Sequence, residues 1–360
     1  MRVSPHCLRQ MNSTTAQLSQ VDLATQHIRD ILSLAIKHTD ARRAIIVADS
    51  GCALALTLAE AYRRCLPGAQ FVDFDAVTPQ AVLDAFATLA ARDLVVLIQS
   101  TSFRLEAFRI RVELFKRGLK VIEHPHLSRM SGVQTDYYVE SLAYEQNYYR
   151  GVGLALKARI DAAEFGVVNS GGEQLVFGSP FESAKLNIGD YSGMPNVGGQ
   201  FPLGEVFTEA KDLEAVRGRV RIFAFGDTTY SVNLPPDPIT LIVEKGRVVG
   251  TENSTAEFDV VLANIRAAEG EVWLRELGFG MNRAFSVDRV VTDIGTYERM
   301  CGIHLSLGAK HGVYSKPNIR RAEARHHVDV FAVTESVVLD DELVFHSGAW
   351  QVKNLLEKAA

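Results

Sequence analysis

Four cysteines (Cys7, Cys52, Cys65, Cys301) in 360 residues are too few and too scattered for a thiolate zinc site or a redox motif, which need thiols closely spaced. Any metal site must therefore be built from nitrogen and oxygen ligands, and a reducing compartment is expected. No apolar run approaches the roughly 20 residues that cross a bilayer. The first residues, Met1 to Gln20, hold Arg2, Arg9 and many Ser, Thr and Gln, and they lack the apolar core of a signal peptide. A soluble, cytoplasmic chain without a membrane partner is expected. A basic stripe is missing as well: 38 Lys and Arg stand against 43 Asp and Glu, a net charge of -5, which argues against a nucleic-acid partner. Glycine is scarce where a nucleotide site would need it, since DSGCAL (Asp49 to Leu54) has one where a dinucleotide fingerprint wants three. No organic cofactor is expected.

What is present is the balance of a globular protein, 47% apolar and 22% charged, in a chain longer than one core usually organises. The expected division is a polar tail over 1–20, an α/β domain over 21–160 and a second domain over 161–360. From Arg43 to about His124, β-branched runs such as AIIVAD, QFVDFD, LVVLIQ and LKVIEH alternate with helical stretches, one opened by Pro79 and one from about Phe103. That rhythm predicts a doubly wound, Rossmann-like α/β domain. A tyrosine-rich linking helix is expected at about Tyr137 to Ala163. Beyond it come short alternating segments punctuated by glycine, which read as a β-rich α+β domain. Lys245-Gly246, between two β-branched runs, predicts a hairpin over Leu241 to Gly250.

Five of the ten histidines (His304, His311, His326, His327, His346) fall after residue 300. In ARHHVDVFA, His327 and Asp329 are two residues apart in a strand-like run and leave the same face of a sheet. An imidazole and a carboxylate there suit a divalent metal, or equally a plain His-Asp hydrogen bond. His304, in GIHLSLG, offers a third ligand. Glu205 in FPLGEVFTE and Glu276 in RELGFGMN each put a lone charge in an apolar, glycine-flanked run, where it needs a partner unless it sits at an exposed strand edge. Glu298 in TYERMCG reads either as a site carboxylate or as the neighbour of Arg299 in a solvated turn.

NVGGQFPLGEVFTEA, LIVEKGRVVG, RELGFGMN, YERMCGIHLSLG and HHVDVFA resemble, in order, segments of the aminopeptidase T family of metallopeptidases, the thermophilic leucyl aminopeptidase type. The resemblance runs from roughly Asn196 to Gly348. It implies a metal-binding domain of aminopeptidase T type in which Glu205, Glu276, His304, His327 and Asp329 bind two divalent ions, zinc, cobalt or manganese. Glu276 would bridge them, and Glu298 would be the general base, although it stands one residue nearer the histidine than in the family. The tyrosine that the family places seven residues after that histidine is His311 here, with Tyr314 three further on; either would stabilise the oxyanion.

The activity so implied is hydrolysis of an N-terminal residue from a peptide, or of a related small amide, by a homodimer. The second half of the chain is also similar to 2,5-dihydroxypyridine ring-cleaving dioxygenases, which share the final His-x-Asp pair but hold one Fe(II) in a two-histidine, one-carboxylate set. Their residue at the position of Glu276 is a histidine.

Overall fold

Apolar runs without polar interruption belong to a parallel sheet buried on both faces, and the first half of the chain folds that way. The computed structural model describes residues 19–103, 105 and 110–357. Strands β1 (Ala44–Ala48), β2 (Gln70–Asp73), β3 (Leu94–Ile98) and β4 (Lys120–His124) alternate with helices α1 (Gln20–Asp30), α2 (Ala53–Cys65), α3 (Pro79–Ala87) and α4 (Ile110–Lys116). Strand side chains alternate between faces, so two cores result. Ile46, Ala48, Val96 and Ile98 join one, and Ile45, Val47, Val95 and Leu97 the other. Thr78 caps α3 by accepting from the Ala81 amide, with Pro79 in the first turn, where its missing N–H goes unneeded.

The polar tail expected over 1–20 lies, except for Ser19 and Gln20, outside the described residues, as does part of the helix expected from Phe103. The linking helix is in fact two, α5 (Val133–Ser141) and α6 (Gln146–Ala162), separated at 142–145.

Three strands follow, β5 (Gly166–Ser170), β6 (Glu173–Phe177) and β7 (Lys185–Asn187), and then β8 (Val197–Gln200) returns to the first sheet. Its order is β2-β1-β3-β4-β8, parallel throughout. Gly198 makes the return possible. It has φ 100°, and a Cβ there would lie 1.8 Å from the Val121 carbonyl oxygen, so only glycine allows the two backbones to pair.

The second sheet is antiparallel and uses β9 (Glu205–Glu209), β10 (Val216–Gly226), β11 (Val232–Asn233), β12 (Ile239–Glu244), β13 (Arg247–Glu252), β14 (Leu274–Gly280), β15 (Gly302–Leu307), β16 (Val328–Ala332), β17 (Ser336–Leu339), β18 (Glu342–His346) and β19 (Ala349–Trp350). Its order is β19-β18-β17-β5-β6-β10-β16-β15-β14-β9-β7, with β11 and β12 attached to β10 and β13 to β12. Helix α7 (Ala256–Glu269) buries Phe258, Val261, Leu262 and Ile265, and α8 (Ile294–Tyr297) is a single turn capped by Asp293. The expected hairpin is β12-β13; Lys245 and Gly246 both have positive φ, 47° and 72°, as a two-residue turn between twisted strands requires. The fold is thus α/β, with a parallel sheet beside a large antiparallel one.

Candidate metal centre

Four neighbouring strands, β9, β14, β15 and β16, bring the predicted ligands to one face. Glu205 pairs with Gly280, Gly278 with His304, and Ser306 with Asp329. Because side chains two apart share a face, Glu205, Glu276, His304 and Asp329 project together. The register shifts between Leu274 and Leu277, and the Glu276 amide donates to Ser306 Oγ at 3.0 Å. Gly278 gives the His304 ring its place: a Cβ there would sit 2.0 Å from ring atoms Cε1 and Nε2. The other ring nitrogen, Nδ1, is buried with no hydrogen-bond partner among the described residues, so packing orients this ring.

Glu205, Glu276 and His304 are buried, and one donor atom of each lies within 4.8 Å of the others. His304 Nε2 is 3.3 Å from Glu205 Oε1 and 3.4 Å from Glu276 Oε1. Two donor atoms bound at about 2.1 Å to one ion stand about 3.0 Å apart at a right angle and about 3.4 Å apart at a tetrahedral angle. These spacings therefore suit a shared cation. His327 Nε2 lies 3.1 Å from Asp329 Oδ1, and that oxygen has no hydrogen-bond partner among the described residues. The donor set is two imidazoles and three carboxylates, which fits a divalent ion.

Surplus negative charge dominates the electrostatics. Burial alone would lower His304, but the Glu205 and Glu276 carboxylates hold it well above the usual range. Burial also opposes charge on His327, yet Asp329 and Glu276 raise it to about 10. Burial would raise the Glu276 carboxyl, and the surrounding imidazoles of His304, His311 and His327 more than offset it, leaving it well below the ordinary value. Without an ion the group binds protons where a cation would otherwise sit. Glu298 behaves oppositely. Burial raises it to about 8, aided by Glu205 and Asp329 and only partly offset by Arg299.

Arg299, which the sequence offers only as a neighbour of Glu298, belongs to the site. It is 5% exposed, forms an ion pair with Glu205, Nη1 2.8 Å from Oε2, and makes a very short contact with Glu298 Oε1. It thereby occupies one oxygen of Glu205 and leaves Oε1 to face His304. In place of the solvated turn entertained for Glu298 and Arg299, a buried Arg299 pairs with a half-buried Glu298 at the cavity edge. Two adjacent charges inside the otherwise apolar TYERMCG were the available signal.

A cavity of about 590 Å³ opens onto this group, lined by Glu298, His327 and Asp329 from the antiparallel side and by His126, Arg129 and Gln200 from the parallel side. Asp293, fully buried, ties the walls together, accepting from Arg129 at 2.8 Å with His126 Nδ1 3.3 Å away. His311 is brought to the cluster, its Nε2 2.8 Å from Glu276 Oε2. Tyr314 is not: its hydroxyl donates to the Ser183 carbonyl at 2.8 Å and lies 3.4 Å from the Phe207 carbonyl. His326 lines the cavity, and His346 is exposed on β18. Cys52, Cys65 and Cys301 are free, partly buried thiols. Among the described residues no helix is long and apolar enough to cross a membrane.

No family model matches the chain, and no curated protein matches it. Among solved structures it is similar to the 2,5-dihydroxypyridine dioxygenase of Pseudomonas putida KT2440, with TM-score 0.61 and 16% identity over 93% of this chain and 98% of that one. It is also similar to wild-type AmpT from Thermus thermophilus, with TM-score 0.50 and 14% identity over 92% of this chain and 99% of that one. At these identities the likeness is one of fold.

Proposed function

We propose that this chain is a divalent-metal-dependent hydrolase of the aminopeptidase T kind, releasing an N-terminal residue or cleaving a related small amide. The observation that carries the reading is the convergence of Glu205, Glu276 and His304 donor atoms within 4.8 Å in a buried site. The His327-Asp329 pair beside them supports a second ion, with Glu276 between the two positions. Zinc, cobalt and manganese all suit such ligands. Bound there, divalent ions supply a water of lowered pKa and polarise an amide carbonyl.

The protein's own groups do the rest. Arg299 pins Glu205 through Oε2, so its ligand oxygen is held in place. Glu298, lining the cavity, takes a proton from the attacking water and returns it to the leaving amine. Glu276, standing where the dioxygenases have histidine, also supports hydrolysis over oxygen chemistry.

One observation favours the second reading, a mononuclear Fe(II) ring-cleaving dioxygenase. The His327-Asp329 pair, Nε2 3.1 Å from Oδ1, is the part of a two-histidine, one-carboxylate set that is present, and the His311 ring lies 6.0 Å from the His327 ring between centroids. Elemental analysis of freshly purified protein, with activity on leucine p-nitroanilide and on 2,5-dihydroxypyridine assayed with and without oxygen, separates the two. Two ions per chain and oxygen-independent anilide release support the hydrolase. One iron and oxygen-dependent ring cleavage overturns it, and a chain that retains no metal overturns both.

A further inference from the structure

The cavity beside the metal cluster is lined by two positive charges that hydrolysis does not use. Each carboxylate lining it is accounted for. Asp293 pairs with Arg129 and has His126 beside it, while Asp329 and Glu298 belong to the metal group with His327 and Arg299. Asp227 turns back on its own loop, accepting from the Thr229 amide at 2.7 Å, the Ser231 amide at 3.2 Å and Asn233 Nδ2 at 2.9 Å. Of the lysine and arginine side chains lining the cavity, Arg129 is committed to Asp293, but Lys310 and Arg325 have no carboxylate partner among the described residues.

The loop between β15 and β16 brings these two together because it is closed at its base. Leu307 pairs with Val328, and beyond them the Lys310 amide donates to the His326 carbonyl at 3.0 Å, so the two arms run on side by side. Glu269, the last residue of α7, ties both arms. Its Oε2 accepts from the Ala309 amide at 2.7 Å, and its Oε1 accepts from the Arg325 and His326 amides at 2.6 Å each. A carboxylate at the C-terminal end of a helix opposes the helix dipole, and the three amide contacts offset that opposition. The Lys310 carbonyl also lies 3.2 Å from His327 Nδ1, so the tied arms stand next to the His327-Asp329 position. Two cations kept on adjoining arms repel each other unless an anion joins them.

We infer that Lys310 and Arg325 bind a carboxylate of the substrate, on the leaving side of the scissile amide, so that the preferred substrate is a short peptide with a free C-terminal carboxylate. This rests on the hydrolase reading above. With the amide of an N-terminal residue at the buried ligands, the rest of the peptide extends outward, towards the exposed side chains of Lys310 and Arg325. The cavity, about 590 Å³, is of the size that encloses small ligands.

Two substrates that differ in one group test this. Leu-Gly and Leu-glycinamide share the scissile bond, and only the first ends in a carboxylate. Zinc-loaded wild type should favour Leu-Gly in kcat/KM by about 10-fold, mainly through KM, as charge-assisted contacts allow. The preference should shrink as added salt rises towards about 1 M. Lys310→Gln/Arg325→Gln should bring the ratio near one, and Lys310→Glu/Arg325→Glu should invert it. A wild-type ratio near one overturns the inference, and so does a preference that the glutamine double variant retains, which would put the carboxylate on the ions instead. If the double variants do not fold, Arg325→Gln alone should lower the ratio, and an unchanged ratio overturns the inference. Wild type that retains zinc but cleaves neither peptide defeats the hydrolase reading. Calorimetric binding of the same two peptides to wild type and variant then decides the carboxylate contact separately.

Discussion

Replacing Gly278 by alanine should disable the metal centre without unfolding the sheet. The added Cβ would sit 2.0 Å from His304 Nε2 and Cε1, where ordinary contact begins at 3.4 Å, so the ring must retreat by roughly 1.4 Å. Metal-ligand lengths tolerate about 0.2 Å. A displacement several times larger removes His304 as a ligand, and affinity should fall at least about 10–100-fold, the loss seen when ligands are merely misoriented. Overpacking should lower stability by about 1–3 kcal/mol, while a strand accepts alanine at ordinary φ. Gly250→Ala is the control, since its Cβ would meet Ile242 Cδ1 at an unstrained 3.5 Å. Zinc competition against a chromophoric chelator measures affinity, and circular dichroism with urea titration measures the fold. If Gly278→Ala matched wild type in both zinc affinity and stability, the packing account of His304 would be wrong.

Other consequences can be measured separately. Arg299→Met leaves Glu205 buried and Glu298 half-buried without their cation and should destabilise the chelator-treated protein by about 3–5 kcal/mol in urea titration; a loss below about 1 kcal/mol contradicts the buried Arg299-Glu205 pair. Glu298→Gln should retain its metal on elemental analysis while kcat falls about 10²–10⁴-fold, and unchanged turnover removes Glu298 as the proton carrier. His124, buried between the hydroxyls of Tyr62 and Tyr138 at 2.8 Å each, is lowered by burial to about 3. Between that value and 6.5 the unfolded chain binds the extra proton, so this residue's contribution to stability is lost as pH falls through that window. Wild type should lose up to about 2 kcal/mol more than His124→Gln between pH 7 and pH 5, and parallel pH profiles of the urea midpoints would refute it.

Local patterns made much of this molecule legible. β1 and β3 announce themselves by unbroken apolar runs, and Lys245-Gly246 marks the β12-β13 turn. Glu205 and Glu276 stood out because a charge in an apolar strand needs a partner, His327 and Asp329 because they leave one face of a strand, and the resemblance to the aminopeptidase T family joined them with His304. The rest depends on contacts between distant residues. VGGQ has a single β-branched residue, and only its fit against Val121 makes it a strand of the parallel sheet. The helix break at 142–145 and the partners of Arg299 likewise arise from packing. Tyr314 matched a family position by count alone, and its hydroxyl went to a carbonyl that no local pattern could indicate.

β8 ends at Gln200 and β9 begins with Glu205, so four residues link the parallel sheet to the first metal-facing carboxylate. The two sheets are therefore interleaved along the chain and cannot be separated by one cut. Cleavage after residue 160 would strip β4 of its outer neighbour, exposing an apolar edge prone to aggregation, and would leave the other fragment with β8 unpaired. Sliding of one sheet against the other would pull directly on the strand end that carries Glu205, which makes ion binding a gauge of how firmly the two sheets are seated.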